Sequence, residues 1–262
     1  ECPRYPQQVN TPFLSDSELL PIGNDLWAVT TDEFSAEEDL FVSDTWHDLG
    51  WILTVATMSD LLAVGAQPHF FLHALSIPRD ASKEMPREMS AGIRDALNAA
   101  DSYLLGGDIG NASPWRFCGT ALGVAPEKPL TREIPAEPQN VWVTGTLGDA
   151  AVAALTGTPT PTFELRLRES LLIRTNATAC TDTSGGFFRS LWDLLQVSPQ
   201  SLIEIDRWKI PVGEDTKSVL KQKEIPPEGA LLAGAGEYEL VFTVPQAVSA
   251  QVTADLTAAG CT

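Results

Sequence analysis

Histidine is scarce in this chain, three residues in 262, and cysteine is limited to four. His69 and His73 in "HFFLH" sit four apart in a strand-like run, about 13 Å along one face, too far to share a metal. With no HExxH present, they are expected in a core or interface, and His47 at the surface. Cys2, Cys118, Cys180 and Cys261 form no CxxC pair, which removes zinc ribbons and redox dithiols and suits a reducing cytoplasm. Basic residues are few: 17 Lys and Arg stand against 35 Asp and Glu, a formal charge of −18. That field repels polyanions and argues against nucleic-acid binding. No run of about eighteen apolar residues occurs, so no membrane-spanning helix is expected. The opening "ECPRYPQQVNTPF" does not read as a signal peptide. Walker and kinase-type glycine loops are also missing.

What is there is a hydrophobic content of 44%, enough to bury a substantial core. "LLPIGNDLWAVTTDEF" reads as a turn at Gly23-Asn24-Asp25 feeding a strand, 26–30, that ends at Thr31-Asp32. Thr45 and Asp48 have capping-box spacing ahead of a long apolar helix to about Val64, closed by Gly65. "HFFLHALSI" reads as a strand, "EMPREMSAGIRDALNAAD" as an amphipathic helix, "SYLLGGD" as a strand entering a glycine turn, and "WRFCGTALGV" as another strand. The proline-rich stretch 125–140 divides the chain into an N-terminal domain, 1–135, and a C-terminal domain, 136–262. Beyond it come strands at "VWVTG", "SLIEID" and "YELVFTV". Helices are expected from Leu147, near "FELRLRESLL", over "FFRSLWDLLQ" and over "PQAVSAQVTADLTAAG". The irregular alternation favours an α+β class over a doubly wound parallel sheet.

The apolar helix poses a problem, because "VATMSDLLAVGAQP" carries Ser59-Asp60 in its middle. A bare carboxylate there would be prohibitively costly, so Asp60 must be solvated, paired or bound to a cation. Other carboxylates share its situation, each where a regular element meets a turn: Asp32 after Thr31, Asp108 after Gly106-Gly107, Asp149 after Gly148, and Asp182 before Thr183-Ser184-Gly185-Gly186. Hard oxygen donors and little histidine point to Mg²⁺, shared with nucleotide phosphates approached by glycine-rich backbone. Singly, each is more often a turn or a helix cap, and Asp149 is read first as a cap.

The order of "TTDEF", "ATMSDLLAVGAQP", "LLGGDIG", "LTRE", "VWVTGTLGDAA", "CTDTSGGF" and "GEYELVFTVP" resembles thiamine-monophosphate kinase. That family shares a superfamily with aminoimidazole ribonucleotide synthetase, selenophosphate synthetase and the hydrogenase-maturation dehydratase. The resemblance runs from about Leu14 over nearly the whole chain. It implies a two-domain α+β fold whose N-terminal sheets pair across a homodimer, with ATP lying along the interface. It implies Mg²⁺ ligands at Asp16, Asp32, Asp60, Asp108 and Asp182, and nucleotide contacts at Thr31, Gly107, Asp108, Arg132 and Ser184. Asp182 and Arg132 are the implied catalytic pair, and Asp39 and Glu237 stand on the substrate side.

The departures are specific. Ser15 and Gly185 replace two carboxylates of the family pattern, Thr57 replaces an Asn, Asp39 replaces a His, and Gly236 replaces a Glu. The expectation is an ATP- and Mg²⁺-dependent phosphotransferase acting on a small metabolite through an altered substrate site, working by alignment and charge neutralisation. Two alternatives stay open: a synthetase activating an amide-like oxygen, and a nucleotide-binding dimer without turnover.

Overall fold

The computed structural model describes residues 2–39 and 41–261. Its first strands form a hairpin: β1 (Glu18–Ile22) and β2 (Asp25–Ser35) turn at Gly23-Asn24. β1 is an addition to the sequence reading. β2 also runs past the expected stop, so Asp32 lies within a strand rather than at its end. The sheet grows by β3 (Gln67–Ile77), β4 (Tyr103–Asn111) and β5 (Arg116–Val124) in the order β1-β2-β5-β3-β4. Only the β3–β4 pair is parallel. The glycine turn expected after "SYLL" is instead a bulge within β4: Phe71 faces Leu104, Leu72 faces Gly106, and Leu105 is the extra residue.

Two helices bridge the strands. α1 (Trp46–Ala63) starts where the capping spacing places it, with the Asp48 amide donating to Thr45 Oγ1 at 3.0 Å. α2 (Glu84–Ala99) buries Met85, Met89, Ile93, Ala96 and Leu97 along one stripe. The two helices cross at two glycines. A Cβ on Gly50 would lie 2.2 Å from the Met89 carbonyl oxygen, and one on Gly92 would lie 1.9 Å from that of His47.

A second, antiparallel sheet has the order β6-β8-β7, from β6 (Gln139–Val143), β7 (Ala179–Asp182) and β8 (Leu240–Pro245). Around it lie α3 (Asp149–Thr156), α4 (Leu167–Ile173), α5 (Phe187–Val197), α6 (Glu214–Gln222), α7 (Pro227–Leu231) and α8 (Ser249–Ala258). "SLIEID" is not a strand: residues 201–206 pair with no strand among the described residues, and Leu202 is 84% exposed.

α1 explains its all-round apolar sequence by its place between the two sheets. It packs on β2, β3 and β5 of the first and on β7 and β8 of the second, as well as on α2 and α4. Leu49, Ile52, Leu53, Val55, Met58 and Leu61 belong to the larger core with Phe71, Phe117 and Phe34. Leu62 and Ala63 join Phe242, Leu240 and Val244 of the second sheet. No helix among the described residues is long and apolar enough to cross a membrane.

Candidate functional site

The polar pair inside α1 points both ways. Asp60 accepts from the Thr30 hydroxyl on β2, and the Ser59 hydroxyl donates to Asp182 at the end of β7. One helical turn thus joins the two sheets through carboxylates. Asp16, just before β1, completes the group: single oxygens of Asp16, Asp60 and Asp182 all lie within 4.8 Å of one another.

Each carboxylate has a distinct set of donors. Asp182 is 3% exposed and accepts from Ser59 on one oxygen and from the amide (3.1 Å) and hydroxyl (2.7 Å) of Ser184 on the other. Asp16 Oδ1 accepts from Arg132 Nη2 at 2.6 Å and Thr181 Oγ1 at 2.9 Å, and Arg132 Nε donates to that threonine at 3.2 Å. The other oxygen, Asp16 Oδ2, is buried with no hydrogen-bond partner among the described residues, on a side chain only 1% exposed. A buried carboxylate oxygen left orphaned is costly unless something else binds it.

The charges feel one another. Burial, with Asp182 adding to it and Arg132 opposing it, pushes Asp16 up to about 6. Burial and the neighbouring Asp182, Asp16 and Asp39 push Asp32 up to about 7. Asp60 rises well above the usual carboxylate range through burial and the charges of Asp182, Asp32 and Asp16. Asp32 therefore borders the group electrostatically, one strand position beyond Thr31. Three or four hard oxygen donors, one of them orphaned, suit a divalent cation such as Mg²⁺.

Other expected residues fall elsewhere. Asp108 is exposed on β4, the outer strand of its sheet, where it accepts from the Ile109 amide at 2.9 Å; within one chain it stands apart from the group. Gly107 lies beside it, and a Cβ there would meet the His73 carbonyl oxygen at 2.3 Å. Thr31 is exposed and donates to the Gly119 carbonyl at 3.0 Å. Asp39 accepts from the Ser35 amide at 2.7 Å, and burial pushes it upward. Glu237 accepts from the Gly148 (2.6 Å) and Ala150 (3.0 Å) amides at the start of α3, and burial pushes it up to about 7. The cap expected of Asp149 is thus made by Glu237, while Asp149 accepts from Thr216. The expected surface position of His47 corresponds to a pairing with Asp95 of α2 at 2.9 Å.

The two missing carboxylates differ in setting. Ser15 is turned into a local network, donating to the Ser17 carbonyl at 2.9 Å and accepting from Asn10 Nδ2 at 2.9 Å. Gly185 is exposed, and a Cβ there would meet only the exposed side chain of Arg189, so the structure does not explain its loss of a carboxylate.

Residues 15–125 match the family model "AIR synthase related protein, N-terminal domain". The thiamine-monophosphate kinase of Pyrococcus abyssi is 26% identical over 243 residues, 88% of this chain and 76% of that protein. That of Escherichia coli K12 is 27% identical over 84% of this chain and 71% of its own. Residues 15–125 are thus similar to AIR synthase-related proteins, and most of the chain is similar to thiamine-monophosphate kinases. Among solved structures, AaThiL complexed with AMPPCP and TMP superposes at a TM-score of 0.79, with 23% identity over 89% of this chain and 80% of that one. E. coli HypE, a hydrogenase maturation protein, gives 0.75 with 20% identity over 88% and 75%. These likenesses establish the α+β fold expected from the sequence.

Sequence reasoning missed the hydroxyls of Thr30 and Thr181, and it singled out Ser59 without finding that its hydroxyl holds Asp182. Polar residues at buried positions of otherwise apolar elements were the available signal. It also missed the buried Arg166, whose Nε and Nη2 grip both oxygens of Glu239 at 2.6 and 2.7 Å, clamping the segment before β8.

Proposed function

We propose that the chain is an ATP- and Mg²⁺-dependent phosphotransferase acting on a small metabolite. The observation that carries this is the buried group of Asp16, Asp60 and Asp182, bordered by Asp32, with one oxygen of Asp16 unpartnered. The named activity of its relatives, thiamine-monophosphate kinase, supports transfer of phosphate over the synthetase alternative.

Asp16, Asp32, Asp60 and Asp182 would hold the cations, which when bound would neutralise phosphate charge and align the phosphoryl group. Thr30, Ser59, Thr181 and Ser184 fix carboxylate orientation, so the ligands are set before nucleotide arrives. Arg132 holds Asp16 on the outer side and would face the nucleotide at the same place. Asp108, Gly107 and Thr31 would serve the nucleotide from the exposed side of the first sheet. Asp39 and Glu237 remain the acidic residues proposed for the acceptor side.

Calorimetric titration of AMPPCP with and without Mg²⁺ is the test. The native chain is expected to bind only with Mg²⁺, and Asp60→Asn and Asp182→Asn to weaken binding at least tenfold while melting as the native chain does. Metal-independent binding, or binding indifferent to both substitutions, would remove the reading.

A further inference from the structure

Tyr238 has no place in the chemistry above. It is a non-glycine residue with φ of +57°, a left-handed conformation that side chains rarely adopt and that is often retained for function. Both neighbours are pinned, Glu237 to the start of α3 and Glu239 to Arg166. The segment also lies tight on the Asp182 turn. The Glu239 amide donates to Thr183 Oγ1 at 2.9 Å, the Thr183 amide donates to the Glu239 carbonyl at 2.8 Å, and a Cβ on Gly236 would sit 2.2 Å from the Ser184 carbonyl oxygen.

The ring is 7% exposed and packs on Phe163 with centroids 4.7 Å apart; Phe163 in turn meets Phe41, in the segment between β2 and α1. Tyr238 therefore sits in a segment held directly on the Asp182 turn, with its ring against Phe163. Burial, with Asp182, Asp39, Asp32 and Asp60 around it, pushes its phenol well above the usual value, so it keeps its proton.

That proton is uncommitted. Thr30, Ser59, Thr181, Ser184 and Arg132 all spend donors on the carboxylates of the group. Tyr238 makes no hydrogen bond to any described residue, although carboxylates lie on several sides. A neutral donor held in a strained backbone beside a cation-binding group, and donating to none of its acids, is suited to an anionic oxygen seated on those cations.

We infer that the Tyr238 hydroxyl is a ligand-contacting group of this site, donating to an oxyanion of the phosphate class that rests on the bound cations. This deepens the phosphotransferase reading and rests on it. The hydroxyl would read the phosphoryl oxygens directly, and substitution there would separate anion affinity from metal affinity.

The probes are Mg²⁺ and inorganic phosphate, titrated calorimetrically into the full native chain and into Tyr238→Phe. Phenylalanine keeps the ring against Phe163 and the same backbone strain, and an unchanged melting curve verifies the fold. The expected result is magnesium affinity within twofold of native and phosphate affinity for the magnesium-loaded chain weakened about tenfold, as loss of a hydrogen bond to a charged group implies. Equal phosphate affinity in the two chains would overturn the assignment, and so would a native magnesium-loaded chain that binds no phosphate. A purely structural role for the hydroxyl would lower the melting temperature and leave the phosphate affinity unmoved. A native chain that binds no Mg²⁺ would overturn the site reading itself.

Discussion

At the scale of single residues, the site is organised by which oxygen each donor takes. Asp16 shows the principle: Arg132 and Thr181 occupy one oxygen and leave the other buried toward Asp60 and Asp182. Ser59-Asp60 was legible as an anomaly in the sequence, because an apolar helix does not carry a carboxylate without a partner. Its partners were not legible, since Thr30 and Asp182 come from strands 30 and 122 residues away in the chain. Glu237 is a second case. Its carboxylate closes the start of α3 over Gly148, which has no side chain to do so, whereas the local sequence directs attention to Asp149. Glu237→Ala should destabilise the chain by about 1 kcal/mol, the usual cost of a lost cap. Thermal melting should show this as a fall of about 2–4 °C for a chain of this size. An unchanged melting temperature would mean that the amides find water instead.

At the scale of elements, strong periodicity was read well and polar or solitary segments were not. α1, α2, β3 and β5 follow from continuous apolar or amphipathic runs. α6, with "EDTKSVLKQ", buries only Thr216 and Leu220, too thin a stripe to stand out. "SLIEID" has the alternation of a strand, yet hydrogen bonding between strands is a property of pairs and this segment has no pair. The contact between α1 and α2 carries its own test. His47 on α1 meets Asp95 on α2, with Asp48 and Arg94 beside them. The hydrogen bond to Asp95 raises His47, so its contribution is full below the free value near 6.5 and disappears as pH rises through the higher folded value. The hydrogen bond to His47 lowers Asp95, so its contribution is present above about 3.9 and is lost as pH falls through the lower folded value. The melting-temperature difference between native and His47→Ala should therefore be largest in the mildly acidic range and shrink on the alkaline side. A difference flat across that range would show that the pair adds nothing to the glycine-to-backbone packing beneath it.

At the scale of the whole molecule, the outer edge of the five-stranded sheet stands out. Among the described residues β4 has no neighbour on its far side, and it exposes Tyr103, Leu104, Leu105 and Ile109, the sort of edge that proteins normally cover. A second copy seated there, as the family resemblance implies, would cover these side chains and bring Asp108 toward a nucleotide lying between the two chains. Sedimentation should then find the native chain dimeric at micromolar concentration and the double variant Leu105→Lys, Ile109→Lys monomeric. A native chain that sediments as a monomer would remove this placement for Asp108.

The position of α1 has one more consequence. A helix that touches both sheets, and reaches one through the Asp60 carboxylate and the other through the Ser59 hydroxyl, makes the molecule mechanically indivisible at this point. Any rocking of one sheet against the other changes the distance between Asp60 and Asp182 and is felt at once by whatever they hold. Ligand occupancy and the relative attitude of the sheets are then one degree of freedom, read out through a single helical turn.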